Sequence, residues 1–352
     1  DMCADAFFAG INRRLAMLTC QMGWLTGEPL SFRFFRHNAL ARWVDYVMTT
    51  INPDVVVVSS SNMAQYVISH PHRPKCRVID FVDVDSAKWR EYAEKGSGVM
   101  RFVYAREARL VLAHDRISAG WAQANTFVSD SEAELFRRLA PESAAKTHAV
   151  ANGVDAVYFS PDDSHAPVYD PALPVFVFTG AMDYPPNVDA ARWFANDIFP
   201  SIRARVNTAQ FYIVGMNPTA EIKRLAQQDG VHVTGKVPDV RPYVAHAVAA
   251  VAPLRIARGI QNKVLEAMAM AKPVIVTPQA LEGIDAAQPD RDVLLARTAA
   301  EISDAARKLV SGEIAGAQIG LSARECVTGN YGWASRRSKF DAIIANASAP
   351  RP

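Results

Sequence analysis

Residues 251–277, VAPLRIARGIQNKVLEAMAMAKPVIVT, hold the pattern on which the fold turns. A buried strand ends near Pro253, a cation-rich loop follows, a helix starts near Asn262 and stops before Pro273, and a second apolar strand begins at once. Strand, helix, strand in that order builds a parallel sheet covered by helices. Asn is a favoured N-cap, so Asn262 reads as the cap, and the first turn of a helix offers unpaired N–H groups that suit an anion. Arg255, Arg258 and Lys263 put three cations within nine positions there, an arrangement suited to a diphosphate. Glu266 lies four residues after Asn262 and three after Lys263 on one helix face, where a carboxylate can accept two hydroxyls as a ribose presents them. The competing reading is a solvated face with an i,i+3 ion pair, worth about 0.2–0.5 kcal/mol. Position favours a ligand, because the loop follows the carboxyl end of a strand, where open α/β sheets bind.

The same grammar extends in both directions. Residues 54–59, 77–81, 125–129 and 147–151 read as strands of a first half, with helical periodicity over 87–92, 99–119 and 131–139. A second half has strands at 175–179, 210–214, 231–234, 249–252 and 273–277, and helices at 187–195, 219–227, 240–247 and 262–270. Between them, residues 160–174 (SPDDSHAPVYDPALP) carry four prolines and three aspartates, the composition of a linker. The expectation is an α/β chain of two doubly wound, Rossmann-like domains: residues 1–159, a linker at 160–174, residues 175–320, and a helical segment at 321–352 that packs back on the first domain. Residues 1–25 read as helical or irregular where such a domain usually opens on a strand. A missing first strand, with further residues before Asp1 in the natural protein, is therefore expected.

Composition narrows the function. In 352 residues, 38 Lys and Arg meet 36 Asp and Glu, so the charge is +2 and no basic footprint for nucleic acid exists. At 50% hydrophobic and 21% charged residues the chain is globular, and its longest apolar runs fall short of the ~20 residues that span a bilayer. Cys3, Cys20, Cys76 and Cys326 are scattered and no secretory leader is evident, which points to the cytoplasm. GVHVTGKV (230–237) nearly spells a phosphate loop, but Val237 stands where Mg²⁺ needs Ser or Thr. Gly96-Ser97-Gly98 reads as a turn, His70 and His72 have no partners at metal-ligand spacing, and Ser59–Ser61 lack the surroundings of a nucleophile.

Glu266-Ala-Met-Ala269, Pro273-Val274 and Asn152-Gly-Val-Asp155 with Phe159 and Pro161 resemble the retaining glycosyltransferases of family 4, which have the GT-B fold of two Rossmann-like domains facing a cleft. Residues 180–189 (GAMDYPPNVD), 258–263 (RGIQNK) and 81–89 (FVDVDSAKW) are similar to the branch of exosortase (PEP-CTERM) exopolysaccharide systems. The sequence departs from the family in two places. Counting back eight from Glu266 gives Arg258 in place of the first glutamate of the family's Glu-x7-Glu, and Ala181-Met182 replace the usual Arg-Leu after Gly180. The expectation is that the two departures are linked, with Arg258 and Lys263 supplying the phosphate charge that the first loop lacks.

The resemblance implies transfer of a sugar from a nucleoside-diphosphate sugar to a hydroxyl of a glycan or lipid-linked acceptor, with retention and no metal or cofactor. Arg258 and Lys263 would neutralise the leaving diphosphate, Glu266 would hold the ribose, and Gly235, Lys236 and Val237 would face the base. Gly180, Arg255, Gly259, Asn262 and Leu265 would complete the donor site. In the first domain Asp83 is the catalytic candidate, with Asp80 and Asp85 as rivals; each also reads as a helix cap or ion-pair partner. Two other functions remain open: a non-catalytic sugar-nucleotide-binding subunit and a GT-B epimerase. Trp24-Leu25 and FRFFR (32–36) suggest peripheral contact with the inner membrane face, against the reading of core aromatics with solvated arginines.

Overall fold

The structure, a computed structural model, describes residues 5–162, 165–257 and 259–349. Residues up to 150, together with those from 338 onward, form one compact unit, and residues 151–337 form a second.

In the first unit β1 (Val55–Ser59), β2 (Cys76–Val82), β3 (Ala124–Phe127) and β4 (Thr147–Ala149) make a parallel sheet in that order. Helices Asp85–Lys95 and Gly98–Trp121 carry the chain from β2 to β3, and Asp130–Leu139 leads toward β4. Ser129 caps the last of these by accepting from the Glu132 N–H. Phe81, Phe127 and Phe136 pack together with centroids about 5 Å apart, each contributing about 1.5–3 kcal/mol by burial. Cys76, Val78 and Ala124 are covered by Ile343 of the helix Trp333–Ser348.

The stretch FRFFR belongs largely to this framework. Phe32 is buried, and Arg33 and Arg36 both bind Glu28, at 2.6 and 2.9 Å. Both arginines of the stretch are thus paired, while Phe35 stays exposed. Trp24 and Leu25 are exposed, as peripheral membrane contact requires of them.

The second unit holds β5 (Val175–Thr179), β6 (Gln210–Val214), β7 (Val231–Gly235), β8 (Ala249–Ala252), β9 (Val274–Val276) and β10 (Leu294–Leu295). All pair in parallel, in the order β7-β6-β5-β8-β9-β10. β5 and β8 are buried on both faces, so they appear in sequence as unbroken apolar runs. Helix Pro185–Trp193 follows β5 and helix Asn262–Ala269 follows β8. Thr219, Thr277 and Thr298 cap three further helices with their hydroxyls.

The unit boundary falls after residue 150, ahead of the proline-rich segment. That segment is anchored within the second unit. The Val154 N–H donates to the Tyr331 carbonyl at 2.8 Å, the Tyr169 hydroxyl donates to the Tyr243 carbonyl at 2.7 Å, and the Tyr169 ring packs on Tyr212 at 4.9 Å.

Candidate functional site

Strand order places the site. β6 and β7 lie to one side of β5, and β8, β9 and β10 to the other, so the connections diverge between β5 and β8. At such a reversal the loops leaving the carboxyl ends of the two strands part and open a crevice. The Gly180 loop leaves β5 there, and the loop before helix Asn262–Ala269 leaves β8. Gly215, just beyond β6, closes against the first of these. Its φ is +156°, and a Cβ at this position would overlap the Gly180 carbonyl. Gly180, at φ +151°, lies so close to the Asn187 amide and the Lys263 ammonium that its own Cβ would stand 2.7 Å from one and 3.3 Å from the other. The sequence reading missed Gly215; a glycine directly after a buried strand was the available signal.

Lys263 is the cation at this point. Its Nζ donates to Asn187 Oδ1 and lies over the Phe178 ring of β5, 4.8 Å from the centroid. Asn187 in turn donates through Nδ2 to the Ala181 carbonyl at 2.9 Å, which fixes the amide's orientation. Burial draws the Lys263 pKa from 10.5 down to about 8, with the Glu266 carboxylate opposing the fall. Burial pushes Glu266 up, and Lys263 pulls it back. The two side chains, with Thr179 and Ala252, border a narrow space beside β5 and β8. Asn187 was quoted in a motif without a role; it is the residue that holds Lys263.

The remaining expected donor residues fare differently. Helix Asn262–Ala269 has Gln261, at φ −92° and ψ 98°, as its N-cap, so Asn262 is the first helical residue and the expectation of an Asn262 cap is off by one. The Gln261 side chain makes no capping hydrogen bond to this terminus, where the Val264 N–H returns to the Gln261 carbonyl at 2.9 Å. Gly259 precedes it at φ +63°, whereas the Leu265 side chain is fully buried in the core. Arg255 binds Asp189 of helix Pro185–Trp193, with Nε to Oδ2 at 3.0 Å, and stacks over Trp193 at 5.2 Å. Its charge is therefore already matched. Arg258 lies outside the described residues. Gly235, at φ +71°, ends β7 and accepts from the Gly215 N–H at 3.2 Å; Lys236 beyond it is exposed, and Val237 is half-buried against the core.

In the first unit the carboxyl ends of β1 and β2 carry a second polar cluster. Val82 sits at φ +70°, with the Asp83 N–H returning to the Phe81 carbonyl at 2.9 Å, a strained γ-turn for a β-branched residue. Asp83 is bound by Lys88 at 2.7 Å and Asp85 by the same ammonium at 3.2 Å. Burial works against the Lys88 charge, but the two aspartates outweigh it and raise its pKa. Asp80 accepts from the Thr126 hydroxyl at 2.9 Å, and burial raises its pKa. Glu132 accepts the Val84 N–H at 2.6 Å. Asp115, fully buried, faces the hydroxyls of Ser61 and Ser86; burial lifts it to about 8, the hydroxyls lower it and Asp85 raises it further.

Among the described residues no group of three or more His, Cys, Asp or Glu is arranged to hold a metal, and no helix is long and apolar enough to cross a membrane. Residues 173–312, which contain the whole of the second unit's sheet, match the sequence family described as glycosyl transferases group 1. The fold is GT-B. Among solved GT-B structures, sucrose-phosphate synthase from Thermosynechococcus elongatus has a TM-score of 0.69 at 14% identity, covering 90% of this chain and 78% of that one. Anabaena HepE in complex with UDP-glucose has a TM-score of 0.63 at 14% identity, covering 92% and 84%. A glycosyltransferase from Rickettsia africae has a TM-score of 0.62 at 13% identity, covering 98% and 97%. At these identities the likeness is one of GT-B fold. No curated protein sequence matches the chain.

Proposed function

We propose that the protein is a retaining glycosyltransferase that moves a sugar from a nucleoside diphosphate to the hydroxyl of a glycan or lipid-linked acceptor. The family match over residues 173–312 supports the reaction class, and the similar HepE structure in complex with UDP-glucose supports the donor class. The observation that carries the reading is Lys263, fixed by Asn187 at the reversal of strand order, with Glu266 one turn further along the same helix.

The bond between the anomeric carbon and the diphosphate breaks while the acceptor oxygen bonds to that carbon, and the acceptor proton passes to the departing phosphate. Charge grows on the diphosphate, so cations and N–H dipoles set in advance where it forms lower the barrier. Lys263 and the first turn of its helix supply them, aided by Arg258 from the preceding loop, without a metal. Glu266 accepts the ribose hydroxyls, and the backbone of Gly235, Lys236 and Val237 faces the base. In the first unit Asp83, bound by Lys88 beside the Val82 turn, is the catalytic candidate. The motif resemblance supports a role in exopolysaccharide or other cell-surface glycan assembly, for which we propose the cytoplasm as the compartment.

Thermal denaturation with UDP, GDP, dTDP and ADP tests the site. One nucleotide at about 100 times its Kd adds about 2.7 kcal/mol of stability, and Glu266→Ala abolishes that shift. Product analysis with and without acceptor then separates transfer from binding alone and from epimerisation. If no nucleotide stabilises the protein, the donor site is misassigned.

A further inference from the structure

The first unit holds a cation-lined cavity that shares no residue with the donor site. It measures ≈ 590 Å³ and is bordered by helices Arg13–Cys20 and Leu30–Phe34 and by the first turn of Asn38–Tyr46. Arg33, Arg36 and Arg42 line it, and among the described residues no carboxylate does. Glu28, outside the lining, accepts from Arg33 Nε at 2.6 Å and from Arg36 Nη2 at 2.9 Å, while Gln65 Oε1 accepts from Arg36 Nε at 3.2 Å. One carboxylate thus orients two guanidiniums and cancels the charge of one.

Arg33 is the decisive residue. Its side chain is only 17% exposed, and of its five N–H donors the Nε–H alone has a partner among the described residues. A guanidinium drawn this far out of water with its terminal amino groups idle is costly until an acceptor meets them. Arg42 adds an exposed guanidinium that forms no ion pair among the described residues.

We propose that this cavity binds a sugar phosphate, its phosphate on Arg33 and Arg42 and its ring against Leu15 and Phe34. Charge selects the phosphate: three arginines against one glutamate leave about +2, which a phosphate monoester matches at pH 7, and the planar guanidinium fork fits its oxygens. The rest of the lining selects the sugar. Leu15 and Phe34 offer an apolar wall to the ring's C–H groups, and Thr19 and Asn38 offer hydrogen-bond partners to its hydroxyls. The volume suits a small molecule of this kind. The inference does not rest on the glycosyl-transfer reading.

Isothermal titration calorimetry of the whole chain with glucose 6-phosphate, inorganic phosphate and glucose tests it. Glucose 6-phosphate is expected to bind, inorganic phosphate to bind more weakly, and glucose not to bind. Arg42→Gln lowers the affinity for glucose 6-phosphate about 10- to 150-fold. Its side chain is exposed, so thermal denaturation of this variant matches that of the parent and excludes misfolding as the cause. Arg33→Lys, which keeps the charge but not the fork, lowers the affinity as well. Absence of glucose 6-phosphate binding overturns the proposal, as does binding that Arg42→Gln leaves unchanged or that inorganic phosphate equals. If Lys263→Met removes the binding instead, the phosphate sits in the donor site and the proposal fails.

Discussion

Lys263→Met should make the nucleotide-free protein more stable while removing its affinity for nucleoside diphosphates. The fall of the Lys263 pKa from 10.5 to about 8 measures what it costs to hold an ammonium in this site. At about 1.36 kcal/mol per factor of ten it amounts to about 3 kcal/mol. Methionine removes that penalty but leaves Asn187 Oδ1 without its donor, a loss of about 1 kcal/mol. A net gain of about 2 kcal/mol remains, or about 4–8 °C in Tm for a domain of this size. The sign is fixed by linkage. The unfolded chain holds the proton up to 10.5, so the penalty is full below about pH 8 and shrinks between 8 and 10.5. The advantage of the methionine variant must therefore be largest at pH 7 and fade toward pH 10. Charge-assisted hydrogen bonds are worth about 1.5–3 kcal/mol, so affinity for the stabilising nucleotide should fall about 10- to 150-fold. Thermal denaturation across pH, with and without nucleotide, measures both effects. A variant less stable than the parent at pH 7, or one that keeps its nucleotide shift, refutes the reasoning.

Gly215→Ala should destabilise the second unit by at least about 2 kcal/mol, read in urea, because its Cβ meets the Gly180 carbonyl and no rotamer relieves the overlap. Arg255→Ala should leave nucleotide affinity within about threefold and cost at most about 1 kcal/mol of stability, since the guanidinium is matched by Asp189 at a half-exposed position; a large loss of affinity would restore Arg255 to the donor site. Asp115→Asn should stabilise the first unit more at pH 8 than at pH 5. The parent keeps its proton up to about 8 when folded but only to 3.8 when unfolded, so it loses stability as pH rises through that window; equal gains at both pH values would show that Asp115 is ionised.

Strands such as Val175–Thr179 and Ala249–Ala252 are legible in the sequence because a strand buried on both faces admits no polar alternation. Leu294–Leu295 is not, since two residues carry no period. The donor helix and the significance of Lys263 and Glu266 were readable from local spacing and from their place after a strand. Their partners were not. Asn187 reaches Lys263 across 76 positions, and Asp189 engages Arg255 across 66, pairings that only the packing of two helices against one sheet brings about. The Asn262 cap failed because Asn and Gln261 compete at adjacent positions and the backbone turn occurs at Gln261. FRFFR has the composition of an interfacial patch, and its spacing does not reveal that Glu28 takes both of its arginines.

The covering of Cys76, Val78 and Ala124 by Ile343 also sets an order of events during synthesis. The 268 residues between Cys76 and Ile344 take roughly 13–54 s to translate at roughly 5–20 residues per second. Over that interval the second unit emerges whole, while one flank of the first sheet lacks its lid. The apolar flank at Cys76, Val78 and Ala124 is thus closed only after the whole of the second unit has been made.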